Sequence, residues 1–507
     1  MNKNTPKQKN VVIIGSGIGG LATACLLAKK GYNVSVFEKN ATLGGRCNTF
    51  SKDGFTYDMG PSWYLMPDVF EHFFSLLDEK VSDHLELIKL SPSYRIFFEN
   101  RNEHVDLFSD ITKDGHVFES FEKGSSKKLK EYLSASATQY DIAIQNLMYK
   151  NYDSFKDFFT WKMITQGRKL SIFKPMHKYV SSFFKSDELQ KIMMYMLVFL
   201  GSSPYNTPAL YNIMNHIDFN MGVFYPKGGM YEVVKTLVKI GKKYGVTYHT
   251  NNPVTHIIVD KGIAKSIQLK GGDTLPADLI ISNADLHFTE TKLLDRKYQT
   301  YPESYWEKKV LAPSTFLMYL GIKGKIPSLT HHNLFFANDW KKNFSQIFDT
   351  PALPDGPSIY VCCPSKTDTT VAPPKDENLF VLVPIAPGLT LTKKQKEDYS
   401  KKIFSILEKN MGIHDLEKRI IVKEYFTGED FENRYNSYKG TALGLAHTLR
   451  QTAIFRPNNK SSKVKNLYYV GANTNPGIGV PICLISAELA YKRIENNKDA
   501  RPLTSLT

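Results

Sequence analysis

The sequence predicts an α/β protein: a Rossmann-type nucleotide-binding domain, a mixed-sheet substrate domain and an inserted helical region. Three observations lead to this prediction. A strand, a glycine turn, a helix and a second strand follow one another over residues 11–38. Helical periodicity dominates residues 68–219, and alternating strand patterns dominate residues 314–432. A second glycine-rich turn precedes a helix near the end of the chain. With 507 residues, the chain is long enough for more than one core.

The first unit has the pattern of a dinucleotide fingerprint. Gly15, Gly17 and Gly20 occupy its three glycine positions, between the strand Val11–Ile14 and a helical run that reaches Lys30. The first glycine permits a tight turn, the second lets the backbone approach a pyrophosphate, and the third lets the helix pack on the strand. The N-terminus of the helix would offer free N–H groups and a positive dipole end to the phosphates.

The strand Val34–Phe37 ends this unit, and Glu38 follows it, placed to accept hydrogen bonds from the adenosine ribose hydroxyls. Beyond it, Gly44-Gly45-Arg46 supplies a second glycine pair and an arginine. A nicotinamide-dependent enzyme has no need of these residues, whereas FAD proteins of the amine-oxidase type place them beside the pyrophosphate. We therefore predict FAD as the cofactor and a Rossmann-type FAD-binding domain.

Composition excludes some partners and leaves others open. The formal net charge is +15, but the lysines are scattered and form no dense basic block with stacking aromatics, which argues against nucleic acid. The charge suits either a membrane surface with anionic lipid or a basic, solvated face. The 31 Phe and 28 Tyr residues suit either a long apolar cavity or a large core. The five cysteines include no C-x-x-C pair, as in a reducing compartment. The longest apolar run, Ile192–Gly201, is too short to span a bilayer, so any membrane contact would be monotopic, and with this cysteine usage we expect a cytoplasmic protein.

The next motif, Asp53–Ser62, reads as a hairpin followed by a turn. Gly60, Pro61 and Ser62 in this turn are predicted to contact the cofactor. A mostly helical stretch follows, in which Ser125–Tyr149, Phe155–Arg168 and Leu189–Leu200 have helical periodicity and Tyr94–Glu99 is strand-like. The last of these helices is apolar all round, which is typical of burial in a core, of a membrane interface or of a lipid tunnel.

Short strand patterns follow the predicted helix Tyr231–Tyr244 and return the chain to the nucleotide domain. Val254 lies on one of them, a strand whose backbone is expected to meet the adenine. Further along, alternating strands and the amphipathic helix Lys393–Met411 indicate a mixed sheet. The pair His331-His332 suggests a metal site, but adjacent residues point apart and no acid or cysteine has ligand spacing beside them. We therefore expect a loop there, and no metal.

The C-terminal motif begins after the strand Val464–Val470. Its glycine turn contains Gly471, Gly477 and Gly479 and precedes the helix Ile482–Asn496. Two glycine turns so far apart in the chain make sense if both touch one extended ligand. The N-terminus of this helix would then face the flavin ring, where reduced flavin carries negative charge near N1 and O2.

These motifs, in this order and over essentially the full length, resemble the bacterial-type phytoene desaturase family of carotenoid oxidoreductases. The resemblance rests on the glycine motifs above, on Asp58–Ser62, and on the stretches Phe224–Gly229, Tyr435–Gly440, Phe455–Pro457 and Pro476–Pro481. The chain departs from the family pattern at Asn475 and Ile482, where His and Gly are common.

The resemblance implies FAD, a hydrophobic polyene substrate such as phytoene, and stepwise desaturation toward lycopene. It also implies peripheral membrane attachment and re-oxidation of the flavin by oxygen or a quinone; a homo-oligomer is left open. On the same scaffold, a later carotene desaturase, a ketolase or oxidase, and an isomerase or saturase are alternatives. An amine oxidase and a non-catalytic prenyl-lipid escort protein are less favoured. The sequence names no catalytic acid or base.

Together, these observations divide the chain into three regions. Residues 1–90, 221–310 and 455–507 form the FAD-binding domain, residues 91–220 form a helical region for the substrate tunnel or membrane face, and residues 311–454 form the mixed-sheet substrate domain. The predicted FAD-binding residues are Gly15, Ser16, Gly17, Ile18, Gly19, Gly20, Glu38, Lys39, Gly44, Gly45, Arg46, Gly60, Pro61, Ser62, Val254, Gly471, Ala472, Asn473, Gly477, Gly479 and Val480.

Overall fold

The architecture is that of a computed structural model, which describes residues 8–101, 103–154 and 174–506. Within these ranges the strands are β1 (Asn10–Ile14), β2 (Asn33–Phe37), β3 (Thr49–Lys52), β4 (Phe55–Asp58), β5 (Leu87–Lys89), β6 (Tyr94–Phe98), β7 (His104–Leu107), β8 (Phe224–Pro226), β9 (Thr247–His249), β10 (Val254–Asp260), β11 (Ile263–Leu269), β12 (Thr274–Pro276), β13 (Leu279–Ser282), β14 (Ser314–Ile322), β15 (His332–Phe336), β16 (Ile359–Cys362), β17 (Glu377–Ile385), β18 (Ile420–Phe426) and β19 (Leu467–Tyr469). The α-helices are α1 (Ile18–Lys29), α2 (Pro67–Ser75), α3 (Ile111–Phe121), α4 (Ser125–Ala143), α5 (Met176–Phe183), α6 (Asp187–Met194), α7 (Ile213–Asn215), α8 (Tyr231–Lys243), α9 (Leu286–Phe288), α10 (Glu303–Trp306), α11 (Trp340–Phe348), α12 (Lys393–Met411), α13 (Gly428–Tyr435) and α14 (Val480–Ile494). The predicted helix Phe155–Arg168 lies outside the described residues.

A five-stranded parallel sheet forms the nucleotide-binding layer, in the order β19-β13-β1-β2-β9. Val11, Val12, Ile13 and Ile14 of the central strand are all buried, as expected of a parallel strand covered on both faces. Helices α1, α8 and α14 share one apolar cluster with this sheet. The predicted strand–turn–helix–strand unit is therefore confirmed, because β1, α1 and β2 each lie within one residue of the predicted bounds.

The strands of this sheet come from three separate parts of the chain. β1 and β2 lie near its beginning, β9 and β13 near the middle, and β19 near the end. The antiparallel sheet β10-β11-β12 is inserted between β9 and β13. The cofactor layer is thus assembled from residues that are far apart in sequence.

A seven-stranded mixed sheet forms the second layer, in the order β18-β14-β17-β16-β15-β6-β7. Its β15 and β6 strands are parallel and its other neighbours are antiparallel. β6 and β7 fall within the range 91–220, where the sequence indicated mainly helices, and they extend the mixed sheet. Helix α12 packs on one face of the sheet and has the predicted bounds. A capping box between Thr392 and Gln395 fixes its N-terminus.

Two predicted helices of the inserted region end earlier than expected. α4 ends at Ala143, and the chain continues as a π-helical segment, Ile144–Met148. α6 ends at Met194, and the chain continues as the 3₁₀-helix Tyr195–Leu200. Periodicity alone cannot show these changes, because the apolar residues continue through both of them.

The prediction of a loop at His331-His332 is wrong for His332, whereas His331 lies in a bend just before the strand. His332 is the first residue of β15, pairs in register with Cys362 and is fully buried. The buried imidazole of His332 forms a hydrogen bond, because its Nδ1 lies 2.8 Å from the hydroxyl of Tyr360. Cys362 lies close to this histidine pair in space, although it is distant in sequence. One ring nitrogen of His331, one of His332 and the Cys362 sulfur all lie within 4.8 Å of one another. Burial lowers the pKa of both imidazoles, that of His331 to about 3.

Candidate functional site

One cavity of about 1780 Å³ connects the carboxyl ends of the Rossmann strands with the inner face of the mixed sheet. Single-ligand pockets commonly measure about 300–1,000 Å³, so this space suits two large ligands. All of the predicted cofactor residues line it except Gly20 and Gly477. A side chain on Gly20 would lie 2.4 Å from the Gly15 carbonyl oxygen, and one on Gly477 would lie 2.1 Å from His447 Nε2. Both glycines therefore lie behind the wall and permit its close packing.

The first glycine turn closes around a residue that the sequence analysis did not identify. A Cβ on Gly17 would lie 2.7 Å from Asn283 Nδ2, and one on Gly19 would lie 2.8 Å from Asn283 Oδ1. A Cβ on Gly471 of the C-terminal turn would lie 3.0 Å from the same oxygen. The Asn283 carboxamide thus fills the space between the two glycine turns. Gly17, the second fingerprint glycine, is therefore required for two reasons. A side chain there would collide with Asn283, and it would also obstruct a bound pyrophosphate.

The first turn also exposes the hydrogen-bond donors that an anion needs. Helix α1 has Gly17 as its N-cap and no side-chain cap. The N–H groups of Ile18 and Gly19 donate to no other group among the described residues, and both residues line the cavity. Such uncapped N–H groups at a helix start are a phosphate-binding arrangement.

Glu38 lies at the end of β2 and is buried. Its Oε2 accepts hydrogen bonds from the amide and the hydroxyl of Ser16, at 3.0 and 2.7 Å, and its Oε1 accepts from the amide and carboxamide of Asn40. These bonds fix the carboxylate on the cavity wall. Val254, at the start of β10, lines the same end of the cavity. Lys39 also lines it, and its ammonium donates to Asn436 Oδ1 at 2.9 Å.

The glycine pair after Glu38 passes directly beside the first turn. The Gly44 amide donates to the Ser16 carbonyl oxygen at 3.0 Å, and a Cβ on Gly45 would lie 3.1 Å from the Gly17 Cα. Gly44 has φ of 115°, where L-residues are strained. Arg46 then enters the cavity wall, with its Nη2 2.9 Å from Ser437 Oγ. The segment therefore lies directly against the first glycine turn, and its contact with a pyrophosphate stays a prediction.

The turn that carries Gly60 joins this segment to the glycine motif before α8. Both oxygens of Asp58 accept backbone hydrogen bonds, from Met230 at 2.8 Å and from Tyr231 at 3.2 Å. A Cβ on Gly229 would lie 2.7 Å from Asp58 Oδ2. Burial raises the pKa of Asp58 to about 7. The two motifs therefore act together, with the carboxyl of one capping the helix of the other.

The C-terminal turn presents two free amides to the cavity. The N–H groups of Ala472 and Asn473 donate to no other group among the described residues. The Asn473 side chain is held by Asp285, which accepts from its Nδ2 at 2.9 Å, and by the Leu445 amide, which donates to its Oδ1 at 3.0 Å. Helix α14 follows with Gly479 as N-cap and no side-chain cap. These groups form a second site for negative charge.

Beyond these polar walls the cavity is apolar. On the inner face of the mixed sheet, Leu317, Leu382, Tyr360 and Leu334 form one row across four paired strands. The opposite wall comes from the inserted helices and includes Tyr195, Val198, Phe199 and Leu200 of the 3₁₀-helix. The remaining aromatic lining residues include Trp63, Phe336, Trp340, Phe344, Phe380, Phe431 and Tyr435. Such a lining excludes water and offers almost no charge to a ligand.

Two polar clusters extend from lining residues of this wall into the protein interior. Ser62 Oγ lies 2.7 Å from the Tyr360 hydroxyl, which in turn contacts His332. On the other side, Tyr195 donates a hydrogen bond to Asp218 Oδ2 at 2.9 Å. Burial raises the pKa of Asp218 to about 7, so this carboxyl can hold or release a proton near neutral pH.

The mouth of the cavity combines exposed apolar and basic residues. Leu449 and Phe455, which both line it, are 39% and 46% exposed. Arg450, next to Leu449 in the chain, is also exposed and lines the cavity, and Lys150 and Lys174 are among the other lining residues. Every helix within the described residues is too short or too polar to span a bilayer.

The residues missed by the sequence analysis lie at predictable places in the fold. Asn283 and Asp285 follow β13, at the carboxyl edge of the parallel sheet where such folds bind ligands. The sequence signal that could have identified them is the dipeptide Ala284-Asp285, which comes shortly after the predicted strand Leu279–Ser282. His447 carries no local signal, because it reaches the C-terminal turn only through tertiary packing. Arg456 lies in the Phe455–Pro457 stretch that supports the resemblance, but the sequence assigned it no role.

Comparison with known proteins gives consistent matches. The family model for flavin containing amine oxidoreductases matches residues 18–494. The carotenoid 3,4-desaturase of Haloarcula japonica is 46% identical, over 95% of this chain and 97% of its own length. The zeta-carotene-forming phytoene desaturase of Myxococcus xanthus is 36% identical, over 96% of this chain and 94% of its own. A solved putrescine oxidase has the same fold, with a TM-score of 0.62 and 15% identity over 96% of this chain and 99% of its own.

Proposed function

The chain belongs to the flavin-containing amine oxidoreductase family and, within it, to the carotenoid desaturases, and on this premise we propose that it desaturates phytoene stepwise toward lycopene. The resemblance, the fold class and FAD as cofactor, all predicted from the sequence, are confirmed. The protein is an FAD-dependent oxidoreductase that acts on CH–CH groups. Bound FAD supplies the acceptor for the hydrogen removed from the substrate as hydride.

The continuity of the cavity is the observation that supports this substrate. The aromatic and aliphatic wall joins the predicted cofactor walls without a break, so a long hydrocarbon in it reaches the cofactor. A hydrocarbon has no charge or hydrogen-bonding group, and its binding energy comes from burial at about 25 cal/mol per Å². An amine substrate would need a polar or charged partner in the cavity. The wall beyond the predicted cofactor residues consists mostly of leucine, phenylalanine, tryptophan and tyrosine, which suits a hydrocarbon better.

The predicted cofactor residues would hold FAD in an extended form. The free amides of Ile18 and Gly19 would bind the pyrophosphate, and Glu38 would accept from the ribose hydroxyls. At the other end, the free amides of Ala472 and Asn473 would meet the flavin ring. The apolar wall orients the polyene and keeps the reacting carbons dry.

A second candidate is desaturation between carbons 3 and 4 of a carotenoid. The Haloarcula japonica relative carries that activity in its name and is 46% identical, against 36% for the phytoene desaturase of Myxococcus xanthus. Both reactions use the same cofactor and the same apolar wall. They differ only in which carbon–carbon bond lies at the flavin ring.

Expression in bacteria that make either phytoene or lycopene distinguishes the two candidates. Pigments are separated by chromatography and their molecular masses are measured by mass spectrometry. Each desaturation then appears as a decrease in mass of two hydrogen atoms. Phytoene desaturation predicts loss of phytoene and coloured products in the first host. Carotenoid 3,4-desaturation predicts change only in the second host. An unchanged mass with a shifted retention time would instead indicate an isomerase, and no change in either host would refute both proposals.

We also propose that the mouth of the cavity lies on a membrane surface, where such a substrate dissolves. Exposed Leu449 and Phe455 would enter the lipid boundary, and Arg450 would meet anionic headgroups. The variant L449E/F455E is expected to lose flotation with anionic vesicles. Ile421→Glu is the matched control, because Ile421 is 48% exposed on β18 and does not line the cavity. Equal flotation of the double variant and the wild type would contradict this orientation.

Re-oxidation by oxygen or a quinone belongs to the same proposal. Turnover under nitrogen with a soluble quinone would identify a quinone, and turnover only in air would identify oxygen.

The homo-oligomer left open by the sequence is tested by light scattering of the detergent-free protein.

A further inference from the structure

Arg456 is a buried cation directly behind the C-terminal glycine turn. It is 3% exposed, and its guanidinium donates to the carbonyl oxygens of Thr474 at 3.1 Å, Leu445 at 3.2 Å, Gln451 at 3.3 Å and Ala472 at 2.5 Å. All four acceptors are neutral. Among the described residues, no carboxylate forms an ion pair with it. The charge is therefore hydrogen-bonded but not compensated.

The groups around Arg456 leave this charge in place. Burial lowers the pKa of Arg456 to about 10, so the guanidinium remains protonated at neutral pH. The ionisable groups that face it are Tyr211, Tyr305, Cys483 and His447. Burial raises the pKa of the two phenols and of the thiol, and it lowers that of the imidazole to about 3. All four groups are neutral at neutral pH. A buried, unpaired cation is costly, and a negative charge nearby would reduce that cost.

The backbone between Arg456 and the cavity also favours a negative charge in the cavity. The Ala472 carbonyl faces the guanidinium, so the N–H of the same peptide, that of Asn473, lies on the opposite side. That N–H is free, and Asn473 lines the cavity. The uncapped start of α14 lies in the same wall, with Val480 as its first residue. A guanidinium, a peptide dipole and a helix dipole thus favour an anion at one place.

We propose that Arg456 stabilises the negative charge of reduced FAD and so raises the reduction potential of the bound flavin. Transfer of a hydride to FAD gives the anion FADH⁻, and the neutral FADH₂ forms only if a further proton is taken up. Arg456 favours the anion through the Ala472–Asn473 peptide without touching the substrate. It is a positioning and electrostatic residue, and the inference rests on the proposed function only in requiring bound FAD.

The test compares variants that keep or remove the charge. Arg456→Gln removes it and keeps a hydrogen-bonding amide, whereas Arg456→Lys keeps it and loses the forked geometry. Sulfite binding to the oxidised flavin is the main readout, because the adduct is an anion that needs the same stabilisation. We expect Arg456→Gln to bind sulfite about tenfold more weakly, and Arg456→Lys to stay within about threefold of the wild type. A tenfold change corresponds to about 30 mV in a two-electron potential, measured by equilibration with a redox dye.

Two controls keep the test decisive. Arg296→Gln removes an exposed arginine that does not line the cavity and is expected to change neither readout. In the wild type, the reduced flavin should remain the anion at a pH where free reduced FAD in the same buffer is protonated. This second measurement needs no variant and holds even if Arg456→Gln fails to retain FAD.

The outcome is independent of the substrate assay. An unchanged sulfite affinity and potential in Arg456→Gln would overturn the proposal and leave Arg456 as a structural residue. Protonation of the wild-type reduced flavin at the same pH as free FADH⁻ would overturn it as well. Failure of the pigment assay, with these readouts as expected, would refute the proposed substrate and not the role of Arg456.

Discussion

The substitution Gly17→Ala tests why the first turn needs glycine. Gly17 has φ of −66° and ψ of 171°, an extended conformation that alanine adopts without strain. Any cost must therefore come from what the methyl group contacts. It would lie 2.7 Å from Asn283 Nδ2, well inside the separation of about 3.5–4.0 Å that is optimal between such atoms. Overpacking of this kind costs about 1–3 kcal/mol, and we expect the apoprotein to lose that much unfolding free energy.

The same substitution in an Asn283→Ala background separates two reasons for the glycine. Without the carboxamide the methyl group has space, so Gly17→Ala should then cost less than about 0.5 kcal/mol of stability. Its effect on FAD should persist at about tenfold weaker binding, because the methyl group still stands beside the free amides of α1. Urea unfolding measures the stability of the apoprotein, and flavin fluorescence during titration measures the affinity.

Gly356→Ala is the matched control, since a Cβ at that position would meet no atom within 4 Å. We expect it to change neither quantity. The reasoning would be refuted if Gly17→Ala behaved like this control. It would also be refuted if Gly17→Ala cost the same stability with and without Asn283, because the contact would then not be the cause.

Two further predictions concern buried titratable groups. The pKa of His331 is about 3 in the folded chain and about 6.5 when unfolded, so its contribution to stability is complete above pH 6.5 and is lost as the pH falls toward 3. His331→Gln should therefore lower the slope of unfolding free energy against pH by about 1.4 kcal/mol per unit between pH 4 and 6, and equal slopes in urea titrations would contradict this. Asp58→Ala removes the acceptor for the Met230 and Tyr231 amides and should cost about 1–2 kcal/mol. The loss is measured as a lower melting temperature than that of Asp260→Ala, since Asp260 is exposed and its carboxyl makes no such cap.

The parts of the fold that depend on local sequence were predictable. The first strand–turn–helix unit depends on glycines and apolar residues that are neighbours in the chain, and its bounds agree to within one residue. The helix Lys393–Met411 was predicted with its observed bounds, because it carries both an amphipathic pattern and a capping box.

The parts that depend on tertiary contacts were not predictable. Asn283 enters the first glycine turn although it is 268 residues from Gly15, and no local pattern records that contact. His332 looked like a loop residue because its partners, Tyr360 and Trp63, are supplied by other segments. The contacts of Arg456 have the same property, since its four acceptors lie on both sides of it in the chain.

The scattered origin of the parallel sheet has a consequence for biosynthesis. On the ribosome, β19 and the start of α14 are made more than 400 residues after β1 and β2. The two ends of the proposed FAD site therefore cannot meet until residue 480 has been added. We expect nascent chains that stop before residue 467 to remain without flavin.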